Sequence, residues 1–211
     1  MLEEQKIVEA VLKGDVEEVK RLVRAALERG DKADDIMNNG LTAGMDVVGK
    51  KMEAEEMYIP EVLVSAKAMS AGVEILKPHL TNEKATSKGK MVIGTVQGDL
   101  HDIGKNLVAM LMGGAGFTVV DLGTDVSPER FVDAVRKNGA NLVGMSALLT
   151  TTMVKMRSTV EALEEAGIRG QVKILVGGAP VTEEYAKKIG VDGYARDAGS
   201  AVRVAKTLLA A

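Results

Sequence analysis

The chain has 211 residues with 27 Lys+Arg against 30 Asp+Glu, a formal charge of -3 at pH 7, so it carries no basic footprint for nucleic acid and no attraction to an anionic membrane surface. Cysteine is absent, which excludes disulfides, thiolate metal sites and iron–sulfur clusters. No apolar run approaches the roughly 18 residues of a membrane span. With no Trp, two Phe, three Tyr and 23 Gly, the core must be built from Val, Leu, Ile, Ala and Met, with close backbone approaches that glycine permits. The acidic, amphipathic start MLEEQKIVEAVLKGD does not read as a secretory signal. A cytoplasmic protein is expected.

From Leu2 to about Lys84 the pattern is helical. Ile7, Val8, Val11 and Leu12 share one helical face. Asp15 reads as the N-cap of a second helix, with Glu18 as its capping-box partner. Val16, Val19, Leu22, Val23, Ala26 and Leu27 then form its apolar side until Gly30 stops it. A short third helix is predicted from about Lys32 to Met37, closed by Asn38-Asn39-Gly40. Segments 41–54 and 59–77 read as two more, broken around Met57-Tyr58-Ile59-Pro60. A bundle of four or five helices is expected.

Thr81 to Lys90 (TNEKATSKGK) is polar and without periodicity, which reads as an interdomain linker. The domain boundary is therefore set between 1–88 and 89–211. Beyond it, short apolar runs alternate with helical segments. Strands are predicted at Met91–Val96, Thr118–Leu122, Asn141–Met145, Val172–Val176 and Gly193–Ala195. The intervening helices are Ile103–Gly114, Pro128–Asn138, Thr152–Ala166, Thr182–Ile189 and Ala198–Leu209. Strands that are apolar throughout, each followed by a helix, imply a parallel sheet covered on both faces. The fold class is thus a helical bundle followed by a five-stranded flavodoxin- or Rossmann-like α/β domain.

Ligands of open parallel sheets bind at the carboxyl ends of the strands. The first such end carries Gln97-Gly98-Asp99-Leu100-His101-Asp102-Ile103-Gly104, the third Gly144-Met145-Ser146-Ala147-Leu148-Leu149-Thr150-Thr151-Thr152, the fourth Val176-Gly177-Gly178-Ala179-Pro180. Glycines and small hydroxyl residues there leave a slot for an elongated ligand. His101 is either a structural or exposed histidine, or a metal ligand. Asp99, two residues away, could accept from one imidazole nitrogen and leave the other for a metal. Gly104 removes a side chain that would obstruct a bulky ligand. One His without Cys or further His cannot make a protein-only zinc or iron site, so any metal on His101 would take its remaining coordination from a cofactor ring.

Asp99-x-His101-x-x-Gly104 resembles the DxHxxG signature of base-off cobalamin-binding domains, and GDLHDIGKNLVAMLMGGAGFTVVDLGTDVSPE extends the likeness on both sides. Ser146-x-Leu148 and Gly177-Gly178 follow in the family's order, and GMDVVGKKMEAEEMYIPEVLVSAKAM resembles the helical cap that precedes this domain in methionine synthase and in stand-alone corrinoid methyl carriers. The resemblance covers nearly the whole chain. It implies a cobalamin or related corrinoid whose dimethylbenzimidazole tail leaves cobalt for the slot, lined by Gly94, Ser146, Leu148, Thr150, Gly177 and Gly178. Gly98, Asp102, Ile103 and Gly104 belong to the binding loop, and Tyr194, Ala195, Asp197 and Ala198 border the nucleotide end. It implies that His101 is the lower axial ligand of cobalt. Asp99 orients His101 and, with a hydroxyl residue, tunes its basicity as cobalt changes oxidation state. By spacing, Thr152 stands where methionine synthase has a Ser. The implied partners are a substrate-specific corrinoid methyltransferase, an acceptor methyltransferase that passes the methyl group to a thiol or tetrahydropterin, and a reductive activase. The chain itself would be a carrier subunit without its own substrate-activating module. The donor (a methylamine, quaternary amine, methanol or aryl ether) stays open.

Of the twelve Met residues, Met69, Met110, Met145 and Met156 sit at core-like positions. Met45, Met52, Met57 and Tyr58 fall in the cap-like segment and either fill its core or meet the cofactor. Glu53-Glu55-Glu56 reads as a solvated helix end and His79 as an exposed residue at the linker edge. Asp121 ends the second strand, where dinucleotide folds place a ribose-binding acid, but Gly98–Gly104 lacks the GxGxxG turn. The alternative function is a cobalamin-dependent sensor or regulator. Such a protein would carry a basic DNA-binding module, whereas residues 1–88 hold 17 acidic against 13 basic side chains. A phosphoacceptor receiver would need an Asp where this chain has Met145-Ser146, and a small mutase subunit would lack the helical cap.

Overall fold

The computed structural model describes residues 2–80 and 88–210. It divides into two compact units. One contains the described residues up to Leu80 together with Gly113–Gly116; the other contains 88–112 and 117–210. Of the predicted linker, 81–87 lies outside the described residues, and Lys90 already opens a strand.

The first unit runs α1 (Leu2–Lys13), α2 (Val16–Glu28), α3 (Ala33–Asp35), a π-helical stretch (Ile36–Thr42), α4 (Ala43–Glu53), α5 (Ile59–Leu76) and a 3-10 turn (Lys77–His79). Asp15 caps α2 as expected, its carboxylate accepting from the Glu18 amide at 3.0 Å. The reciprocal half of the box is missing, because the Glu18 side chain pairs with Arg21 at 2.6 Å. The expected stop at Asn38-Asn39-Gly40 does not occur. The helix widens, with Ala43 N–H bonded to the Asn38 carbonyl, and continues into α4. Packing overrides the local signal: a Cβ on Gly40 would lie 3.0 Å from Ile7 Cγ2, and one on Gly44 would lie 2.8 Å from Val11 Cβ. Two glycines four apart thus present a flat strip to two branched residues four apart on α1. His79 is exposed in the closing turn, and Glu55 and Glu56 are exposed beyond α4.

The second unit contains β1 (Lys90–Thr95), α6 (Ile103–Gly114), β2 (Thr118–Asp121), α7 (Pro128–Asn138), β3 (Leu142–Ser146), α8 (Thr150–Glu165), a 3-10 turn (Arg169–Gln171), β4 (Lys173–Gly177), α9 (Glu183–Lys188), β5 (Gly193–Ala195) and α10 (Ala198–Ala210). All strand pairs are parallel, in the order β2-β1-β3-β4-β5. The chain reverses its direction of winding between β1 and β3, so their carboxyl ends lie side by side at the topological switch point. Alternate strand residues divide the core. Val92, Val143, Met145, Ile174 and Val176 join Phe131, Val135, Met156, Val160 and Leu163 from α7 and α8. On the other face, a Cβ on Gly193 would meet Val204 and Leu208 of α10 within 3.0 Å.

Of the methionines assigned to the core, Met69, Met145 and Met156 are buried, but Met110 is 37% exposed. It lies seven residues beyond Ile103 on the outer stripe of α6, whose inner face is taken by Leu107, Leu111 and Met112. Phe131 is fully buried among the residues of this core, so its truncation would open a cavity. Phe131→Ala should lower stability by about 3–5 kcal/mol, read as a lower urea midpoint by far-UV circular dichroism.

Candidate functional site

β1 ends at Thr95, and the loop that follows is held from several sides. Asp99 N–H donates to the Val96 carbonyl at 3.1 Å, closing a turn in which Gly98 adopts φ +81°. The Thr95 hydroxyl donates to the His101 carbonyl at 2.8 Å. The loop feeds into α6, whose N-cap, Asp102, accepts from the Asn106 side chain at 3.0 Å.

The Asp99 side chain has no exposed surface, and a buried carboxylate requires donors. Oδ1 accepts from His101 Nδ1 at 2.7 Å and from the His101 amide at 3.1 Å. Oδ2 accepts from the Thr152 hydroxyl at 2.7 Å and from the Leu148 and Leu149 amides at 2.8 and 3.4 Å. Burial works against ionisation, but the Thr152 hydroxyl, the Leu148 amide and the two His101 donors outweigh it and hold the carboxyl far below the usual carboxylate range. An ionised Asp99 can only accept. The proton of a neutral His101 therefore resides on Nδ1, and Nε2 keeps its lone pair. The Thr152 hydroxyl also lies 2.9 Å from the Leu149 carbonyl; its single proton goes to the charged acceptor, the stronger of the two.

His101 is half exposed, and around it stand apolar side chains that a folded protein ordinarily covers: Leu100 is 74% exposed and Ile103 77%, with Leu148 and Leu149 also exposed. Nothing lies within 4 Å of the position a Gly104 Cβ would take. Among the described residues, no cluster of three or more His, Cys, Asp or Glu side chains could hold a metal ion. One imidazole nitrogen, open space beside it and an apolar rim are the donor set and surface for a broad ring with its own metal. The residues present fit a metal macrocycle.

The other expected residues divide. Ser146 is the last residue of β3 and pairs with Thr95 and Gly177 across the sheet, and Thr150 opens α8 on the exposed side. Gly94 does not border a slot: its missing side chain is replaced by Val126 and Phe131, within 3.0 Å of a built Cβ. Gly178, at φ +130°, would put a Cβ 1.9 Å from the Ala147 carbonyl oxygen, so it is required by backbone contact between the loops after β3 and β4. Tyr194 packs against the core and Ala195 and Ala198 are buried. Asp197 caps α10, accepting from the Ser200 amide at 2.7 Å while its own amide donates to the Ser200 hydroxyl at 3.2 Å. Met45 and Met57 are buried in the first unit, and Tyr58 is exposed.

Two charged residues of this region were not legible beforehand. Asp125 accepts from the Gly98 amide at 2.7 Å. Lys105, 2% exposed, pairs with Asp121 and with the Asn106 side chain, which accounts for the acid at the end of β2. A lysine flanked by Gly104 and Asn106 on a helix start gave no periodic signal of burial.

The B12 binding domain family matches residues 89–203, and a second B12 binding domain model matches residues 3–77. A corrinoid protein of Desulfitobacterium hafniense (strain Y51) is 42% identical over 95% of this chain and 94% of its own. Trimethylamine corrinoid protein 2 of Methanosarcina acetivorans is 44% identical over 97% of this chain and 95% of its own. Among solved structures, the methanol:cobalamin methyltransferase complex MtaBC from Methanosarcina barkeri is similar with a TM-score of 0.87 and 32% identity, over 99% of this chain and 80% of that one.

Thr152→Val removes one donor from a buried anion and should cost about 1.5–3 kcal/mol, measured by urea unfolding at neutral pH. The Asp197 carboxyl is held below its ordinary value, burial opposing and the Ser200 donors and Arg196 favouring ionisation. Its capping stabilisation is therefore present above the unfolded carboxyl value of about 3.9 and lost as pH falls through the lower folded value. Asp197→Ala should cost about 1 kcal/mol at pH 7, and the gap in thermal midpoint to the parent should close at strongly acid pH.

A helical first unit, a parallel five-stranded second unit carrying DxHxxG at its switch point, and relatives matched over nearly their full lengths lead to one assignment: the chain belongs to the B12-binding family of corrinoid proteins.

Proposed function

We propose that this corrinoid protein carries a methyl group on cobalt between two methyltransferases, with His101 as the lower axial ligand. The observation that carries the reading is the buried, ionised Asp99 bonded to His101 Nδ1, which leaves Nε2 as the donor in an exposed apolar setting. The cofactor is cobalamin or a related corrinoid. When bound, its cobalt supplies both the nucleophile and the seat of the methyl group.

The protein's part is placement and electrostatics. Asp99 keeps the proton on Nδ1 and raises the donor strength of the ring, as a carboxylate behind a metal-bound histidine does. Thr152 and the Leu148 amide hold that carboxylate ionised, so the imidazole is tuned without a proton moving onto Asp99. Leu100, Ile103, Leu148 and Leu149 would lie against the macrocycle and keep water from it. Gly98, Asp102 and Gly104 shape the loop beneath it. Ser146, Thr150, Gly177 and Gly178 would follow the displaced tail, with Tyr194, Ala195 and the capped start of α10 at its far end.

The partner that loads the group is a methyltransferase of the methylamine or methanol type, in keeping with the trimethylamine corrinoid protein and the methanol:cobalamin complex that this chain resembles. A second methyltransferase would pass the methyl group to a thiol or a tetrahydropterin, and a reductive activase would recover oxidised cofactor. The division of labour follows the chain, 1–88 as helical cap and 89–211 as the corrin-binding domain. No helix of the described residues is long and apolar enough to cross a membrane, and a cytoplasmic site of action is part of the proposal.

The test is reconstitution with hydroxocobalamin beside His101→Ala. The parent should take up the cofactor base-off with an axial imidazole visible in its absorption spectrum, and the variant should lose that signature. A parent that binds no cobalamin, or a variant with the parent's spectrum, would end the reading.

A further inference from the structure

The loop between β2 and α7 contains the one described non-glycine residue of the second unit with positive φ, Asp125 at +51°. Such a conformation is disfavoured for residues bearing a Cβ and persists where the surroundings over-determine it. The contacts of Asp125 indicate what determines it. Its carboxylate accepts from the Gly98 amide at 2.7 Å, and its own amide donates to the Asp99 carbonyl at 3.0 Å. The residue thus grips the Gly98-Asp99 pair at both ends, amide and carboxylate both turned toward it from a left-handed backbone. The rest of the loop is fastened beside it. The Thr95 amide donates to the Gly123 carbonyl and the Val126 amide to the Thr95 carbonyl, both at 3.0 Å, and Val96 bridges to Val126. This extension of the sheet continues β1 pairing past the end of β2.

We propose that Asp125 is a positioning residue for the axial histidine: by clamping Gly98-Asp99 it sets the height of the Asp99 carboxylate, and through it the aim of His101. The inference rests on the reading of His101 as the cobalt ligand. Asp125 is exposed and bonds the Asp99–Gly104 loop from outside it, from the loop after β2. A glycine here would relieve the backbone and give up the carboxylate. Stability therefore changes less than positioning at this residue, which allows them to be separated by experiment.

The experiment compares Asp125→Gly and Asp125→Asn with the parent in the full chain. In the cofactor-free protein, Asp125→Gly should lower the thermal midpoint only slightly, the relieved backbone offsetting part of the lost bond, while the Gly98 amide exchanges about tenfold faster, the scale of losing a hydrogen bond to a charged acceptor. After addition of hydroxocobalamin, the same variant should show a reduced imidazole-ligated fraction, shifted toward the His101→Ala spectrum. Asp125→Asn tolerates the left-handed backbone and keeps a neutral carbonyl acceptor, and should recover part of both readouts, falling between Asp125→Gly and the parent. The proposal is overturned if Asp125→Gly matches the parent in Gly98 exchange or in the spectrum, or if Asp125→Asn recovers neither. Should the parent itself lack an imidazole signature, the His101 reading fails first. The exchange data would then leave a clamp with no axial ligand to position, and the inference falls with it.

Discussion

The second unit is organised around one buried negative charge. A carboxylate taken out of water is costly unless donors surround it, and no single segment of this chain could surround Asp99. The donors come from its own loop through His101, and from the loop and first turn after β3 through Leu148, Leu149 and Thr152. Those two loops can meet only because β1 and β3 are neighbours, paired as far as Thr95 and Ser146. The sheet order at the switch point and the ionisation of Asp99 are thus two aspects of one arrangement. The tautomer of His101 follows from it, since a carboxylate held ionised by its donors dictates which ring nitrogen holds the proton.

Glycine does much of the shaping elsewhere, though in different senses at different places. Gly40 and Gly44 let α1 approach the widened helix, and Gly94, Gly144 and Gly193 yield their side-chain space to Phe131, Met91 and Leu208. These are packing glycines, filled by neighbours. Gly104 borders open space and Gly98 meets only Thr152 Cγ2, at 3.8 Å, so in the His101 loop the missing side chains are not filled tightly by neighbours.

That distinction marks how far the sequence could be read. Strand runs such as Met91–Val96 and helices such as Ile103–Gly114 and Pro128–Asn138 were legible because burial on both sheet faces and amphipathic periodicity are local patterns. The DxHxxG loop with Thr152 was legible as a resemblance. The course of the chain through Asn38-Asn39-Gly40 was not, because its fate depended on Ile7 and Val11 some thirty residues away. Gly94 was assigned to the slot for the same reason: a glycine near a strand end looks alike whether a neighbour or a ligand takes its space. Met110 reads as core from its position in the chain, although the turn of α6 places it outside. Asp125 and Lys105 carry no periodic signal, being charged residues in polar surroundings whose partners lie 27 and 16 positions away in the chain.

Lys105 has a consequence of a different kind. Its amine is enclosed and engaged with Asp121 and Asn106, so it is hidden from any acylating or alkylating reagent while α6 stays docked on β2. The other lysines of this unit at the surface would be labelled at once. Modification of Lys105 would follow the rate at which the helix after the His101 loop opens, giving the chain a built-in chemical clock for the breathing of that loop and helix.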